Sequence, residues 1–271
     1  MTTKRDHAST DLAVACVVVD QFGERAVPWI QKGIVDGDPA HFRIVHASNT
    51  APSALHHERF ADMCFVVGHG CDPKSADTML KMAATATSQG ALTFLVSPPV
   101  CSSLWSDMGA SGACLIEVDS ATQAGFAVLG PTNSLLFHGI VGIDFADFIG
   151  MFSGRCRGAC THSSTPVGSG TFRMVRHLLQ RVGQKVDLRG PAVRIAYLLT
   201  GGTTLTLRDA NTVAAAIDTE VHPEADVIWS MAIDDRVDGL GVTMLAATDF
   251  VRSTGDGADS PGASARRFPG R

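Results

Sequence analysis

The sequence lacks the surplus of basic residues with which proteins neutralise nucleic-acid phosphates. It carries 22 Lys and Arg against 27 Asp and Glu, a formal net charge of -5, and its sequence pI is about 6.0. Lys and Arg also form no long run or stripe. Because phosphate contacts depend on clustered cations, these absences predict that nucleic acid is not a partner.

Long apolar runs are absent as well. The opening "MTTKRDHAST" has no apolar core of the kind that signal peptides contain. The longest apolar stretches, such as "LAVACVVV", are much shorter than the ~20 residues that a membrane-spanning helix needs. We therefore expect no membrane insertion and a cytoplasmic location.

The cysteines form no Cys-x-x-Cys pair, and their number, seven, is odd. In a reducing compartment this pattern predicts free thiols packed in the core and no disulfide framework. The stretch "CRGACTH" brings Cys156, Cys160 and His162 close in sequence, but their spacing is not that of a usual zinc site. A polar loop is the favoured interpretation, and no metal site is predicted. The other cysteines are Cys16, Cys64, Cys71, Cys101 and Cys114.

The sequence does contain enough apolar material for about two compact units, since 45% of its 271 residues are hydrophobic. Apolar, β-branched runs predict buried strands at "LAVACVVV", "FRIVHAS", "MCFVVG" and "ALTFLVS". Between the last two, Pro73 opens and Gly90 ends a predicted helix, which makes a parallel βαβ unit. A helix containing Pro28 is predicted between the first two strands. Residues 11–150 therefore predict a doubly wound α/β domain with a mostly parallel sheet, after a flexible segment at 1–10.

A smaller α+β domain is predicted over residues 151–250. Helical spacing marks "TFRMVRHLLQRVGQ", and a helix at 206–221 is predicted among strands at 192–201, 225–233 and 240–248. The tail, 251–271, is rich in Gly, Ser and Asp and is predicted to be disordered. Residues 98–138 are harder to assign, because only "ACLIEV" and "GFAVLG" in that region resemble strands.

The stretch that begins "YLLTGGTTLTLRDANTV" and ends "VTMLAATDF" resembles the second domain of FtsZ, the bacterial tubulin homologue. The counterparts of that family's motifs are a turn at Thr200, a helix entry at Leu205, a strand core from Ala225 and an acidic turn at Asp234. "ADMCFVVGHG", a helix and "GALTFLV" are similar to the family's first domain. The resemblance implies a shortened GTPase-type domain at 11–150 and an FtsZ-like C-terminal domain at 151–250.

The motif "GIDFADF" is similar to the loop that FtsZ presents to the GTP of the neighbouring subunit in a filament. The resemblance implies that Asp144 and Asp147 are catalytic, orienting the water that attacks the γ-phosphate. Gly142 stands where the family has asparagine, so one polar contact of that shared site is missing. The residues alone allow another interpretation, in which Asp144 caps the following helix and Asp147 lies in its first turn.

The resemblance also implies a GTP site, with Mg²⁺, in two loops that follow the first and third strands. The residues at the matching positions are Gly23, Gly68, Gly70, Lys74 and Ser75. In FtsZ these loops are richer in glycine, which lets backbone N–H groups close on phosphate.

Both loops here have lost glycines and gained carboxylates, namely Asp20, Glu24 and Asp72. We expect those carboxylates to lie near the phosphates and to repel them. The segment between "GALTFLV" and "GIDFADF" is also shorter than in FtsZ, which leaves little room for the family's long central helix.

Three functions follow from this resemblance. The favoured one is a cytoskeletal or cell-division-related protein that associates with itself or with FtsZ-type subunits, with GTP binding and hydrolysis weakened. The second is an active GTPase that uses a remodelled phosphate loop. The third is a non-enzymatic scaffold that binds partners.

Overall fold

The computed structural model describes residues 12–34, 41–47, 61–99, 111–136, 139–166, 170–234, 237 and 239–249. These residues form a nine-stranded sheet. The strands are β1 (Val14–Val18), β2 (Phe42–His46), β3 (Met63–Val67), β4 (Leu92–Ser97), β5 (Cys114–Glu117), β6 (Cys156–Thr165), β7 (Arg194–Gly201), β8 (Asp226–Ile233) and β9 (Leu240–Asp249). The predicted flexible segment at 1–10 and the predicted tail at 251–271 lie outside the described residues.

Six helices pack on this sheet in the part of the chain that the structure describes. They are α1 (Gln21–Gly33), α2 (Pro73–Ser88), α3 (Ala121–Leu136), α4 (Phe145–Phe152), α5 (Thr171–Gly183) and α6 (Leu207–Glu220).

The sheet is parallel except at one strand. Its order is β2-β1-β3-β4-β5-β6-β9-β7-β8, and only β9 runs antiparallel to its two neighbours, β6 and β7. The predicted α/β class with a doubly wound, mostly parallel sheet and a smaller C-terminal α+β part is confirmed. The two parts share one sheet, and the boundary between residues 150 and 151 stays a prediction.

Helices cover both faces of the sheet. On one face, α1, α3 and α4 pack over a core that runs from β1 to β9 and includes Phe65, Phe94 and Leu245. On the other face, α2 packs over the N-terminal strands, and α5 and α6 pack over the C-terminal strands. One buried layer therefore joins the N-terminal and C-terminal halves.

Two elements differ from their sequence predictions. The stretch "CRGACTH", predicted to be a polar loop, is part of strand β6 and pairs on both sides. Its small residues give little strand signal, but a position between two strands buries Cys156, Ala159 and Cys160. The stretch "GFAVLG", which resembles a strand, lies inside helix α3, because a short apolar run cannot distinguish a buried helix from a strand.

Helix α3 also corrects the expectation that little room remains for a central helix. It has 16 residues and follows β5 directly, and it contacts α1, β6, β7, β8 and β9. The chain therefore builds a helix between its two halves within a short segment.

The cysteines correct a further expectation. A disulfide joins Cys114 to Cys156 across the neighbouring strands β5 and β6. The pairing is invisible in sequence, because the 42-residue separation closes only when the strands align. Cys16, Cys64 and Cys160 are buried free thiols, as predicted, and burial raises the pKa of Cys64 to about 12.

Candidate functional site

The two predicted phosphate loops lie side by side at the carboxyl ends of β1 and β3. Asp20, which follows β1, joins them. One oxygen of its carboxylate accepts hydrogen bonds from the backbone N–H groups of Phe22 (2.9 Å) and Gly23 (3.2 Å) and so caps α1. The other oxygen accepts from the N–H of His69, in the second loop, at 2.7 Å. A single carboxylate therefore takes three backbone donors from two loops.

The second loop satisfies its remaining donors in a similar way. Asp72 caps α2 by accepting from the N–H of Ser75 at 2.9 Å, and that hydrogen bond is the main reason why the pKa of Asp72 lies below its usual value. Gly70 donates its N–H to the hydroxyl of Ser97, at the end of β4, at 2.8 Å. Five N–H groups of the two loops are thus hydrogen-bonded to side chains of the same chain.

Two of the predicted nucleotide-binding glycines are also required by packing. A Cβ atom on Gly23 would lie 2.6 Å from the carbonyl oxygen of Val67. A Cβ atom on Gly68 would lie 2.9 Å from the sulfur of Met79. Glycine at these positions lets α1 and α2 approach the strand ends closely, which is a structural role that a phosphate site would share.

The other predicted residues of this site lie at the start of α2. Lys74 is exposed and Ser75 is buried. Glu24, expected to lie near the phosphates, instead pairs with His46 at 2.8 Å. The structure therefore brings Gly23, Gly68, Gly70, Lys74 and Ser75 to one edge of the sheet, and their role in binding nucleotide stays a prediction.

Asp144 and Asp147 lie at the first turn of α4. The Asp144 carboxylate accepts from the N–H of Ala146 at 2.9 Å and caps the helix, while Asp147 lies in its first turn. Both side chains are exposed. This is the geometry of the cap interpretation, and it also leaves both carboxylates available to a neighbouring molecule.

Both halves of the protein hold α4 and the loop before it. Phe148 and Phe152 pack against Phe94 of β4, with ring centroids 6.0 and 5.9 Å from it. Before the helix, Val141 pairs with Met231 of β8 through two backbone hydrogen bonds, of 3.2 and 2.9 Å. The acidic turn is therefore built on a fixed support.

The end of α4 and the phosphate loops lie at opposite ends of the parallel strands. Helix α3 starts beside the carboxyl end of β5 and, with 16 residues, spans about 24 Å. Near its end, Asn133 donates to the carbonyl of Gly33, the last residue of α1. The final turn of α4 contacts Arg194, the first residue of β7, through the Met151 carbonyl at 2.8 Å. Within one chain, the structure does not bring Asp144 and Asp147 to the predicted glycines.

Ring stacking and side-chain hydrogen bonds fix the first turns of α3 to β6. Phe126 stacks on the ring of His162, with centroids 3.5 Å apart. Gln123 accepts from the N–H of His162 at 2.6 Å and donates to its carbonyl at 3.2 Å. Burial lowers the pKa of His162 to about 4, so the ring is neutral at neutral pH. These contacts show that His162 has a structural role.

A charged cluster joins the end of β5 to α5. Asp119 binds Arg181 at 2.5 Å and also binds Lys185. Burial alone would raise the pKa of Asp119, but the hydrogen bonds from Lys185 and Arg181 outweigh it and lower that pKa.

The described residues contain neither a metal-binding cluster nor a membrane-spanning helix. Among the described residues, no group of three or more His, Cys, Asp or Glu side chains could hold a metal ion. Within the same ranges, no helix has the length and apolar character that spanning a membrane requires.

Comparison with known proteins identifies relatives of this architecture. A family model described as "FtsZ family, C-terminal domain" matches residues 176–251. The chain is 34% identical over 130 residues to "Cell division protein FtsZ 2" of Methanocaldococcus jannaschii, a match that covers 47% of this chain and 34% of that protein. The chain therefore matches about a third of that relative's length.

Solved structures share the fold over most of the chain. An empty FtsZ dimer from M. jannaschii superposes with a TM-score of 0.69 and 16% identity, covering 89% of each chain. CetZ1 from Haloferax volcanii, described as a GDP-bound monomer, superposes with a TM-score of 0.54 and 10% identity, covering 90% of this chain and 96% of that one. Together, these comparisons show that residues 176–251 match the FtsZ C-terminal domain and that most of the chain has the fold of FtsZ and CetZ.

Proposed function

We propose that this protein associates end to end with copies of itself or with FtsZ-type subunits, while its own binding and hydrolysis of GTP are weakened. One observation carries the proposal. Four N–H groups of the two phosphate loops already donate to carboxylates of the same chain, whereas the exposed acidic turn of α4 is kept on a rigid support.

The loop geometry supports weak GTP binding on energetic grounds. A triphosphate would have to displace the Asp20 carboxylate from three N–H groups and the Asp72 carboxylate from a fourth. Because the acceptor in each of these bonds is charged, each is stronger than a bond between neutral groups, and breaking them opposes nucleotide binding. The displaced carboxylates would then repel the phosphates unless Mg²⁺ lay between them.

The positions of the two predicted half-sites support end-to-end association. In the FtsZ resemblance, one subunit supplies the phosphate loops and the next supplies the acidic turn. Here the end of α4 lies at the amino ends of the strands and the phosphate loops lie at their carboxyl ends, as a head-to-tail contact requires. One relative with this fold is described as an FtsZ dimer. With its loops closed and its acidic turn exposed, the chain would offer one competent end and cap a filament there.

A retained GTPase activity is the second candidate, and one observation favours it. Lys74 is exposed at the start of α2, next to Gly70 and Ser75 in sequence, where a cation can meet a phosphate. CetZ1, a relative with this fold, is described as GDP-bound. In this case the loops would open and the Asp20 hydrogen bonds would break when nucleotide binds.

Titration with fluorescent GTP and magnesium tests the binding half of the proposal. We expect the wild-type protein to bind more weakly than micromolar and an Asp20→Ala variant to bind more tightly, because it frees three donors and removes a negative charge. A Glu24→Ala variant is the matched control, since Glu24 binds His46 and not the loops. Micromolar or tighter binding by the wild type would contradict this half and favour the retained GTPase.

The association half is tested with an FtsZ-type protein from the same source. Substoichiometric amounts of this chain should lower polymer mass in sedimentation, and an Asp144→Ala, Asp147→Ala double variant should not. Phosphate release recorded in parallel shows whether the acidic turn also stimulates hydrolysis. If wild type and variant both leave assembly and turnover unaltered, the two aspartates act only as a helix cap and its first-turn neighbour.

A further inference from the structure

A cleft of about 710 Å³ lies between the end of β6 and the first turns of α5. It is on the face of the sheet that α5 and α6 cover, and no predicted nucleotide residue lines it. The volume is within the ~300–1,000 Å³ that small-molecule sites occupy. Its lining includes Ser163, Ser164, Phe172, Arg173, Arg176 and His177.

The charge of this cleft is positive. Helix α5 contains three arginines and a histidine and no acidic residue, although the chain as a whole has a net charge of -5. Arg176 forms an ion pair with Glu220, with the two charged groups 3.3 Å apart. Arg173 and His177 make no hydrogen bond or ion pair with any residue in the described ranges. The cleft therefore offers two basic side chains to an anion.

The start of α5 adds backbone donors to these side chains. Gly170 occupies the N-cap position with φ of 74° and, having no side chain, supplies no capping hydrogen bond to the first turn. The N–H groups of the first turn are consequently left without the acceptor that a capping side chain supplies. Thr171, at the first helical position, is 6% exposed, and its hydroxyl has no hydrogen-bond partner within the described structure. An oxyanion at this helix end would satisfy such donors.

One wall of the cleft is aromatic. Phe172 is 43% exposed, and it directly precedes Arg173 in the first turn of α5. An exposed ring beside cationic groups provides a flat surface on which a planar, unsaturated ring can stack. Ser163 and Ser164 of β6 also line the cleft.

We propose that this cleft binds a small phosphate monoester that carries a flat unsaturated ring. Arg173, His177 and the first-turn N–H groups of α5 hold the phosphate, and Phe172 stacks on the ring. This site is separate from the loops after β1 and β3, and it does not depend on the function proposed for them.

Calorimetric titration with inorganic phosphate and with phenyl phosphate tests the site. Phenyl phosphate adds an aromatic ring to the same head group, so we expect both probes to bind saturably and phenyl phosphate to bind several-fold more tightly. Arg173→Ala should weaken both probes about tenfold, since a charge-assisted hydrogen bond is lost. Phe172→Ala should weaken only phenyl phosphate, and Arg155→Ala, which removes an exposed arginine at the opposite edge of the sheet, should change neither.

Phosphate bound at the loops is distinguished by a Lys74→Ala variant, which should leave both affinities unchanged. The absence of saturable binding for both probes overturns the proposal, and so does binding that Lys74→Ala weakens but Arg173→Ala does not. Equal affinities for the two probes overturn the contribution of Phe172. The substituted side chains are exposed, so an unchanged melting temperature for each variant verifies that the fold is intact.

Discussion

The C-terminal half of the sheet and the loops that follow β1 and β3 resemble FtsZ to different degrees. The C-terminal half carries the family match at residues 176–251, and its strands and helices from residue 171 onwards lie where the sequence predicts them. The loops keep glycine at positions 23 and 68, but their donors bind the chain's own Asp20 and Asp72. The difference separates packing from chemistry, because the glycines allow the helices to approach the strand ends while the loop donors are bound within the chain.

The largest loss of stability should come from a substitution in the core that joins the N-terminal and C-terminal halves. Phe94 is fully buried and packs against Phe65, Phe148 and Phe152. Phe94→Ala should lower the free energy of unfolding by about 3–5 kcal/mol, because it removes a large apolar contact and leaves a cavity. Denaturant unfolding measures the loss. The exposed Phe172→Ala is the matched control, and a similar loss in both variants would contradict a continuous core.

Acid should weaken the junction of α3 and β6 by a comparable amount. Burial lowers the pKa of His162 to about 4, below its ordinary value of about 6.5, so the unfolded chain binds this proton more tightly. The stabilisation is complete above pH 6.5 and falls as the pH drops towards 4, by about 3 kcal/mol at most. Unfolding measured across this range should show that slope, and His162→Phe should remove it. An equal slope in the variant would assign it to other groups.

A smaller loss of stability should distinguish two glycines, Gly23 at the start of α1 and Gly142 in the loop before α4. In Gly23→Ala the new Cβ would lie 2.6 Å from a backbone oxygen, so we expect a loss of about 1–3 kcal/mol despite the better helix propensity of alanine. Gly142, in the loop before α4, has no atom within 4 Å of the corresponding position. Gly142→Ala should therefore leave the melting temperature unchanged. If both variants are equally stable, Gly23 is not held by packing.

The smallest losses of stability should come from replacing the two capping aspartates, Asp20 and Asp144. Asp20 accepts three backbone hydrogen bonds and links two loops, whereas Asp144 accepts one. Replacing a capping residue by alanine costs about 0.5–2 kcal/mol, so Asp20→Ala should be near the upper end and Asp144→Ala near the lower. Thermal unfolding compares them. A greater loss for Asp144→Ala would show that its cap, and not the link made by Asp20, is the more important.

Much of the fold was predictable from sequence because its signals are local. β1, β3 and β4 are apolar runs that parallel strands require, and α2 has its proline and glycine at its ends. Strand β6 and helix α3 were not predictable in this way. The small residues of β6 are buried by neighbours that are distant in the chain, and the short apolar run within α3 fits either element.

The candidate site likewise has features that were predictable from the sequence and features that were not. Sequence alone determined which residues stand in the phosphate loops and at the acidic turn, and that Asp144 is followed by a helix. Only the tertiary structure decided that the Asp20 carboxylate reaches the N–H of His69, that Cys114 meets Cys156, and that the end of α4 lies at the strand ends far from the loops. Each of these depends on strands aligning side by side, and a residue's own neighbours in sequence carry no record of the partners that such alignment brings within hydrogen-bonding distance.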